Sequence, residues 1–219
     1  MKTTRAVKFD FTKWAAYFCA VFFLVGVASA QTERVPTHEV TVWSGGSFDS
    51  STIFGIGRTE DVRFGMVAVQ YARRFKNNDA VNLKYTVDFV PAAVMNYPDF
   101  RIVSAGAGNP RIERFRKTVY GYGVAPLGLQ ANFRPRKKIQ PFVGASGGLL
   151  YFNKQIPNDF GTRFSFTADV GGGVEINMKN GRAVTIGYKY HHISNGNRGE
   201  INPGFDNNLF YVGYRFFSK

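Results

Sequence analysis

The densest cluster of reactive side chains lies in two short stretches, His191-His192-Ile193-Ser194-Asn195-Gly196 and Asn202-Pro203-Gly204-Phe205-Asp206. The chain has three His, and two of them are here. A His two residues before a Ser on a strand puts both side chains on one face. The imidazole can then take the hydroxyl proton, the first requirement of an activated serine nucleophile. Asp206 opens the next alternating segment across the 195–205 connection, from where it could orient the imidazole; such a constellation is defined by roles and not by chain order. Taken alone, His-x-Ser is more often surface decoration than catalysis. Parity sharpens it. Val184, Ile186, Tyr188 and Tyr190 share an apolar face, while Thr185, Gly187, Lys189 and His191 share the polar one. His192 and Ser194 therefore continue the apolar side. In the last segment Phe210, Val212, Tyr214 and Phe216 are apolar, and Asp206 has their parity. Three polar groups on the lipid side of a membrane hairpin are costly unless functional. A bulge near Ile193 would undo the assignment.

The elements that must position this cluster read as eight period-two segments. The clearest is Arg163 to Met178. Phe164, Phe166, Ala168, Val170, Val174, Ile176 and Met178 fall on one face, opposite Arg163, Ser165, Thr167, Asp169, Glu175 and Asn177. In Val81 to Phe89, Val81, Leu83, Tyr85, Val87 and Phe89 oppose Asn82, Lys84, Thr86 and Asp88. From Val119 to Phe133 the odd positions are almost all apolar or Gly, with Tyr120, Tyr122, Gln130 and Asn132 opposite. Weaker segments run His38 to Ser47, Val62 to Phe75, Ile139 to Phe152, Ala183 to Ser194 and Asn207 to Phe217. Short connections (Lys76 to Asp79, Arg134 to Lys138, and Lys179-Asn180-Gly181) alternate with longer ones at about 48–60, 92–117, 153–162 and 195–205. Asn180-Gly181 is a strong hairpin signal. Alternating short and long connections around an even strand count are what an outer-membrane barrel shows. The fold class expected is all-β, an eight-stranded antiparallel up-and-down transmembrane β-barrel. The competing arrangement is a soluble, lipocalin-like barrel with its apolar faces turned inward.

Composition bounds the rest. The hydrophobic fraction of 44% excludes a disordered chain, and a single Cys excludes a disulfide scaffold. Lys2, Arg5, Lys8 and Lys13 precede an apolar run from Trp14 to Val27 and a small-x-small site at Ala28-Ser29-Ala30. This is the layout of a secretory signal peptide over residues 1–30, leaving one barrel domain over 31–219; a retained anchor is the alternative. Removing the signal lowers the formal charge from +13 to +10 and takes away the only Cys, Cys19. The Lys and Arg are scattered over loops and both strand faces, so no nucleic-acid surface is expected. The sequence offers no phosphate-cradling loop, dinucleotide fingerprint or metal triad, and neither cofactor nor metal is expected.

The stretch from Tyr190 to Gly196 and on through Asn202-Pro203-Gly204-Phe205-Asp206 resembles the signature of the PagL lipid A 3-O-deacylases, also called acyloxyacyl hydrolases. The match covers roughly residues 182–216; upstream only the barrel pattern agrees. The resemblance implies an eight-stranded outer-membrane barrel whose Ser-His-acid triad faces the membrane. It implies removal of the ester-linked 3-hydroxyacyl chain at position 3 of lipid A. By resemblance His192 is the base, Ser194 the nucleophile and Asp206 the acid, where the best-known member has Glu; Glu200 is the competing acid. Asn195 and Asn202 match supporting polar positions, and their amides could assist backbone N–H groups after Ser194 at the oxyanion. The final Tyr214-Arg215-Phe216-Phe217 resembles the aromatic C-terminal pattern of outer-membrane barrels, followed here by Ser218 and Lys219.

The partner expected is lipid A or lipopolysaccharide of the outer leaflet, met in the membrane by a monomer or homodimer. Arg111, Arg114 and Arg116, with Lys117, approach the fourth segment from the long 92–117 connection, where Arg would suit lipid A phosphates. A merely solvated loop is the alternative. The Arg134-Pro135-Arg136-Lys137-Lys138 turn falls on the periplasmic side, near anionic headgroups. A non-catalytic structural or adhesive barrel would share every barrel feature without requiring His192, Ser194 and Asp206. A soluble carrier of hydrophobic ligands is a third possibility.

Overall fold

The computed structural model describes residues 37–103 and 110–219. The expected signal segment over residues 1–30 lies outside the described residues. Eight strands, β1 (His38–Ser47), β2 (Arg63–Asn77), β3 (Val81–Val103), β4 (Arg111–Phe133), β5 (Ile139–Ile156), β6 (Thr162–Asn177), β7 (Ala183–Ser194) and β8 (Phe205–Ser218), pair in chain order and close β8 onto β1. All pairings are antiparallel. Followed from Ser194 around the ring, the register passes Phe166, Leu149, Val124, Phe89, Val69, Val42 and Tyr214. It returns to β7 at Val184, ten residues earlier. The shear is thus even, and each strand keeps its inner and outer faces as the sheet closes. At the β6–β7 hairpin, Asn180 and Gly181 both adopt positive φ, 59° and 69°, as a primed turn requires.

The wall sorts its side chains as the alternation demands. Val42, Phe89, Leu129, Val170, Ile186, Phe210, Val212 and Phe216 stand exposed on the outside. That apolar outer wall excludes the soluble barrel with inward apolar faces. The lumen is filled. Toward the short turns it is ionic: Glu39 meets Arg74 at 2.6 Å, Lys84 at 2.7 Å and Arg215 at 3.1 Å, and Glu175 meets Lys84 at 3.1 Å and Arg215 at 2.8 Å. Each charge is compensated, which its burial requires. Toward the long connections the interior is apolar, with Phe64, Met95, Tyr97, Val119, Leu150, Phe152, Ile193 and Phe205 buried together.

Two expectations need correcting. Residues 92–117 are not simply a connecting loop: β3 and β4 run on as a paired hairpin up to Val103 and Arg111. The register of β4 against β5 also slips between Val124 and Leu127. This bulge reverses parity, so Tyr120 and Tyr122 stand outside while Asn132 is buried within. The four polar or aromatic residues therefore do not share a face.

Candidate active site

No bulge interrupts β7 against β8, and His192 sits directly opposite Asp206. Both have the parity of Ile186 and Phe210, whose exposed side chains mark the outer wall. Across the strand pair His192 Nδ1 lies 2.6 Å from Asp206 Oδ1. That contact fixes the imidazole by one nitrogen and leaves Nε2 for proton exchange. Ser194 ends the strand two residues on, with the same parity, about 7 Å along the backbone. It lines a narrow crevice with Asn195, Asn202, Pro203 and Gly204. Glu200 is exposed, and Asp206, not Glu200, meets the imidazole.

Asp206 is only 1% exposed although its parity points out of the barrel. The cover is the β1–β2 connection, residues 48–62. Its Gly57 N–H donates to Asp206 Oδ2 at 2.7 Å. Ser51 N–H donates to the Asp206 carbonyl at 2.8 Å, and Arg58 N–H to the Pro203 carbonyl at 2.7 Å. Sequence reasoning missed this loop because a backbone donor leaves no side-chain signature; the two glycines at 55 and 57 were the only hint. Gly204 is held at φ 68°, and a Cβ there would come within 3.1 Å of His192 Cε1.

The 195–204 turn uses the supporting amides on itself. Asn195 N–H donates to Asn202 Oδ1 at 3.0 Å, and Asn195 Nδ2 to the Ile201 carbonyl at 2.8 Å. Asn202 Nδ2 makes only an exposed 3.2 Å bond to Asn197 Oδ1. Asn195 is thus committed to holding the turn, and Asn202 keeps the more available donor. On the outer wall below, an apolar groove is lined by Ile53, Phe54, Val143, Ala145, Val170, Tyr188 and Tyr190. The Phe54 ring meets Tyr190 edge-on at 4.6 Å.

His191 points into the lumen. Its Nδ1 contacts Asp169 Oδ1, and Asp169 Oδ2 accepts from Ser146 Oγ at 2.8 Å. The ring stacks on Phe64 at 5.0 Å. His38 meets the Tyr71 hydroxyl at 2.7 Å, remote from this site.

The three arginines are not one cluster. Arg116 donates to Asp61 Oδ2 at 2.6 Å and to the Asn96 carbonyl at 3.1 Å, so its charge is already met. Arg114 and Arg111 are exposed, and three residues apart on a strand they point to opposite faces. Nearby, Arg101 Nε donates to Glu113 Oε2 at 2.8 Å, and this hydrogen bond holds the Glu113 carboxyl below its ordinary range. Among the described residues, no group of three or more His, Cys, Asp or Glu is placed to hold a metal.

The outer wall thus carries an imidazole held on a carboxylate, with a serine two residues on along the same face, above an apolar groove. The family model described as lipid A 3-O-deacylase (PagL) matches residues 79–215. No curated protein matches the chain. Among solved structures the chain is similar to the outer membrane enzyme PagL, at 16% identity and a TM-score of 0.52, over 80% of this chain and 97% of that one. It is also similar to Neisserial surface protein A, at 15% identity and a TM-score of 0.45, over 81% of this chain and 95% of that one.

Proposed function

The chain belongs to the lipid A 3-O-deacylase (PagL) family, and from that premise we propose that it hydrolyses the ester-linked 3-hydroxyacyl chain at position 3 of lipid A in the outer membrane. The observation that carries the reading is the 2.6 Å His192–Asp206 contact on the membrane-facing wall, two residues before Ser194. The Ser194 hydroxyl attacks the ester carbonyl while His192 Nε2 takes its proton. Asp206, held on Nδ1, keeps the tautomer and stabilises the imidazolium. The oxyanion is met by the Asn202 amide and the Gly196 N–H. The imidazolium returns its proton to the sugar 3-oxygen as the C–O bond breaks, leaving the acyl chain on Ser194. Water, deprotonated by the same imidazole, then releases the fatty acid.

The groove below supports this orientation. An acyl chain lying between Tyr188, Tyr190 and Val170 keeps its tail among lipid tails and its ester at the height of Ser194. The substrate need not leave the bilayer, which accounts for a polar site on a lipid-facing wall. Export with cleavage after Ala30 is part of the same reading, and N-terminal sequencing of the membrane-borne chain tests it.

The deciding experiment is lipid A mass spectrometry from a host lacking this activity. Expression of the wild-type chain should remove the mass of one 3-hydroxy fatty acid. Unchanged lipid A beside folded, outer-membrane wild-type protein would overturn the proposal and leave a non-catalytic barrel.

A further inference from the structure

The acid of the site is braced from outside the region that the family model covers. That match begins at residue 79, whereas the second oxygen of Asp206 is held by Gly57 of the β1–β2 loop. Three observations bear on this contact. A Cβ built at Gly57 would lie 2.7 Å from Asp206 Oδ1, 2.8 Å from its Cγ and 2.8 Å from its backbone N. Only glycine lets the loop backbone approach so closely. Second, the loop is docked as a unit: Ser50 bridges to Asn207 and Thr59 to Phe205, on either side of Asp206. Third, the carboxylate is almost wholly buried, though β8 turns it toward the outside of the barrel. Without the loop it would keep His192 on one oxygen and have only the nearby Tyr190 hydroxyl in place of the Gly57 donor.

We propose that Gly57 is a positioning residue of the hydrolytic site. Its N–H and its missing side chain together hold the Asp206 carboxylate in the one orientation that braces His192. The division of labour is simple: Oδ1 goes to the imidazole, Oδ2 to the loop. The terminal torsion of an aspartate is broad, so without such a clamp the carboxylate could turn away from the imidazole. The loop's outward side chains, Phe48, Ile53, Phe54 and Ile56, are exposed and apolar. Of these, Phe54 packs edge-on against Tyr190 and holds the docked loop on the outer wall.

The inference rests on the proposed Ser194–His192–Asp206 mechanism, and the test separates the two. Purified, folded variants are assayed for release of 3-hydroxy fatty acid from lipid A in detergent, with folding checked by heat-modifiable migration. Gly57→Ala should lower kcat at least about tenfold, as the loss of a charge-assisted hydrogen bond implies, with KM little changed. Gly55→Ala serves as the control for loop strain, because Gly55 has φ 61° but no neighbour within 4 Å of its Cβ position; it should retain most activity. In an Asp206→Asn background, Gly57→Ala should add little, since the group it positions is already neutralised. Equal damage from Gly55→Ala, or a full additional loss in the Asp206→Asn background, would overturn the assignment, as would wild-type kcat in Gly57→Ala. Undiminished turnover by folded Ser194→Ala would instead bring down the serine mechanism itself.

Discussion

Two adjacent histidines of β7 each rest a ring nitrogen on an aspartate, on opposite sides of the barrel wall. His191 meets Asp169 in the lumen; His192 meets Asp206 outside. Each pair even has a serine nearby, Ser146 for the first and Ser194 for the second. The order differs. Inside, the carboxylate lies between hydroxyl and imidazole, because Ser146 donates to Asp169 Oδ2. Outside, the order is carboxylate, imidazole, serine: Asp206 faces His192 across the strand pair, and Ser194 stands two residues on along β7, on the same face. Only the second order lets a proton leave a serine for a nitrogen. Access differs as well: the His191 side chain is 2% exposed and stacked on Phe64, while that of His192 is 15% exposed. A His–Asp pair is therefore not a site by itself. Its surroundings decide whether it braces a core or a nucleophile.

Mutation of the outer pair should produce the largest effects. Ser194→Ala and His192→Ala are each expected to lower deacylation by more than about 10³-fold, with the barrel still folded. Because triad members act as a unit, the double variant should be little worse than either single one. Asp206→Ala should be milder than either by about tenfold or more, since the base and nucleophile remain. The lipid A mass shift reads all four variants. A multiplicative loss in the double variant would mean the two residues do not share one step.

The inner pair should behave in the opposite sense. His191→Ala leaves the buried Asp169 without its imidazole partner and should cost about 1–3 kcal/mol of stability, seen as a lower urea midpoint. Its turnover per folded molecule should stay within a few-fold of wild type. His192→Ala likewise strips a buried carboxylate, Asp206, of its imidazole, so a loss of about 1–3 kcal/mol is expected there too, and the two variants part on turnover and not on stability. If His191→Ala silenced the enzyme while His192→Ala only loosened the barrel, the two faces would have been exchanged.

How much of this was legible in the sequence follows the same division. Where one face meets lipid and the other the lumen, alternation is enforced, and β1 and β7 begin and end where the pattern places them. The shared parity of His192, Ser194 and Asp206 was readable for that reason. The hairpin beyond Asp99 and Phe115 was not, because a ribbon solvated on both faces needs no alternation; Phe100, Ile102 and Ile112 are exposed beside Arg101 and Arg114. The β4 bulge hid in the Ala125-Pro126-Leu127 step, where one extra residue turns Tyr120 and Asn132 to different faces. The Gly57 clamp is a backbone N–H reaching across 149 residues of sequence, and no residue type announces it.

The smallest effect is expected from the hairpin arginines, and it refines the comparison by asking how far the outer site extends. Arg116 is committed to Asp61, and Arg111 points to the face opposite Arg114. Arg114 shares the outer face with Ile112, Arg116 and Tyr120, and is exposed. It lies about 17 Å along the strand beyond Val119, on the part of the hairpin that runs past the buried core. An exposed charge contact of this kind contributes about 0.2–1 kcal/mol and weakens with salt. Arg114→Ala should therefore reduce kcat/KM on bisphosphorylated lipid A by no more than about fivefold at low ionic strength, and hardly at all on the dephosphorylated substrate. Adding Arg111→Ala should change neither figure. Equal losses on both substrates would mean that the hairpin does not read phosphate, and that the outer site ends at the 195–204 turn and the β1–β2 loop.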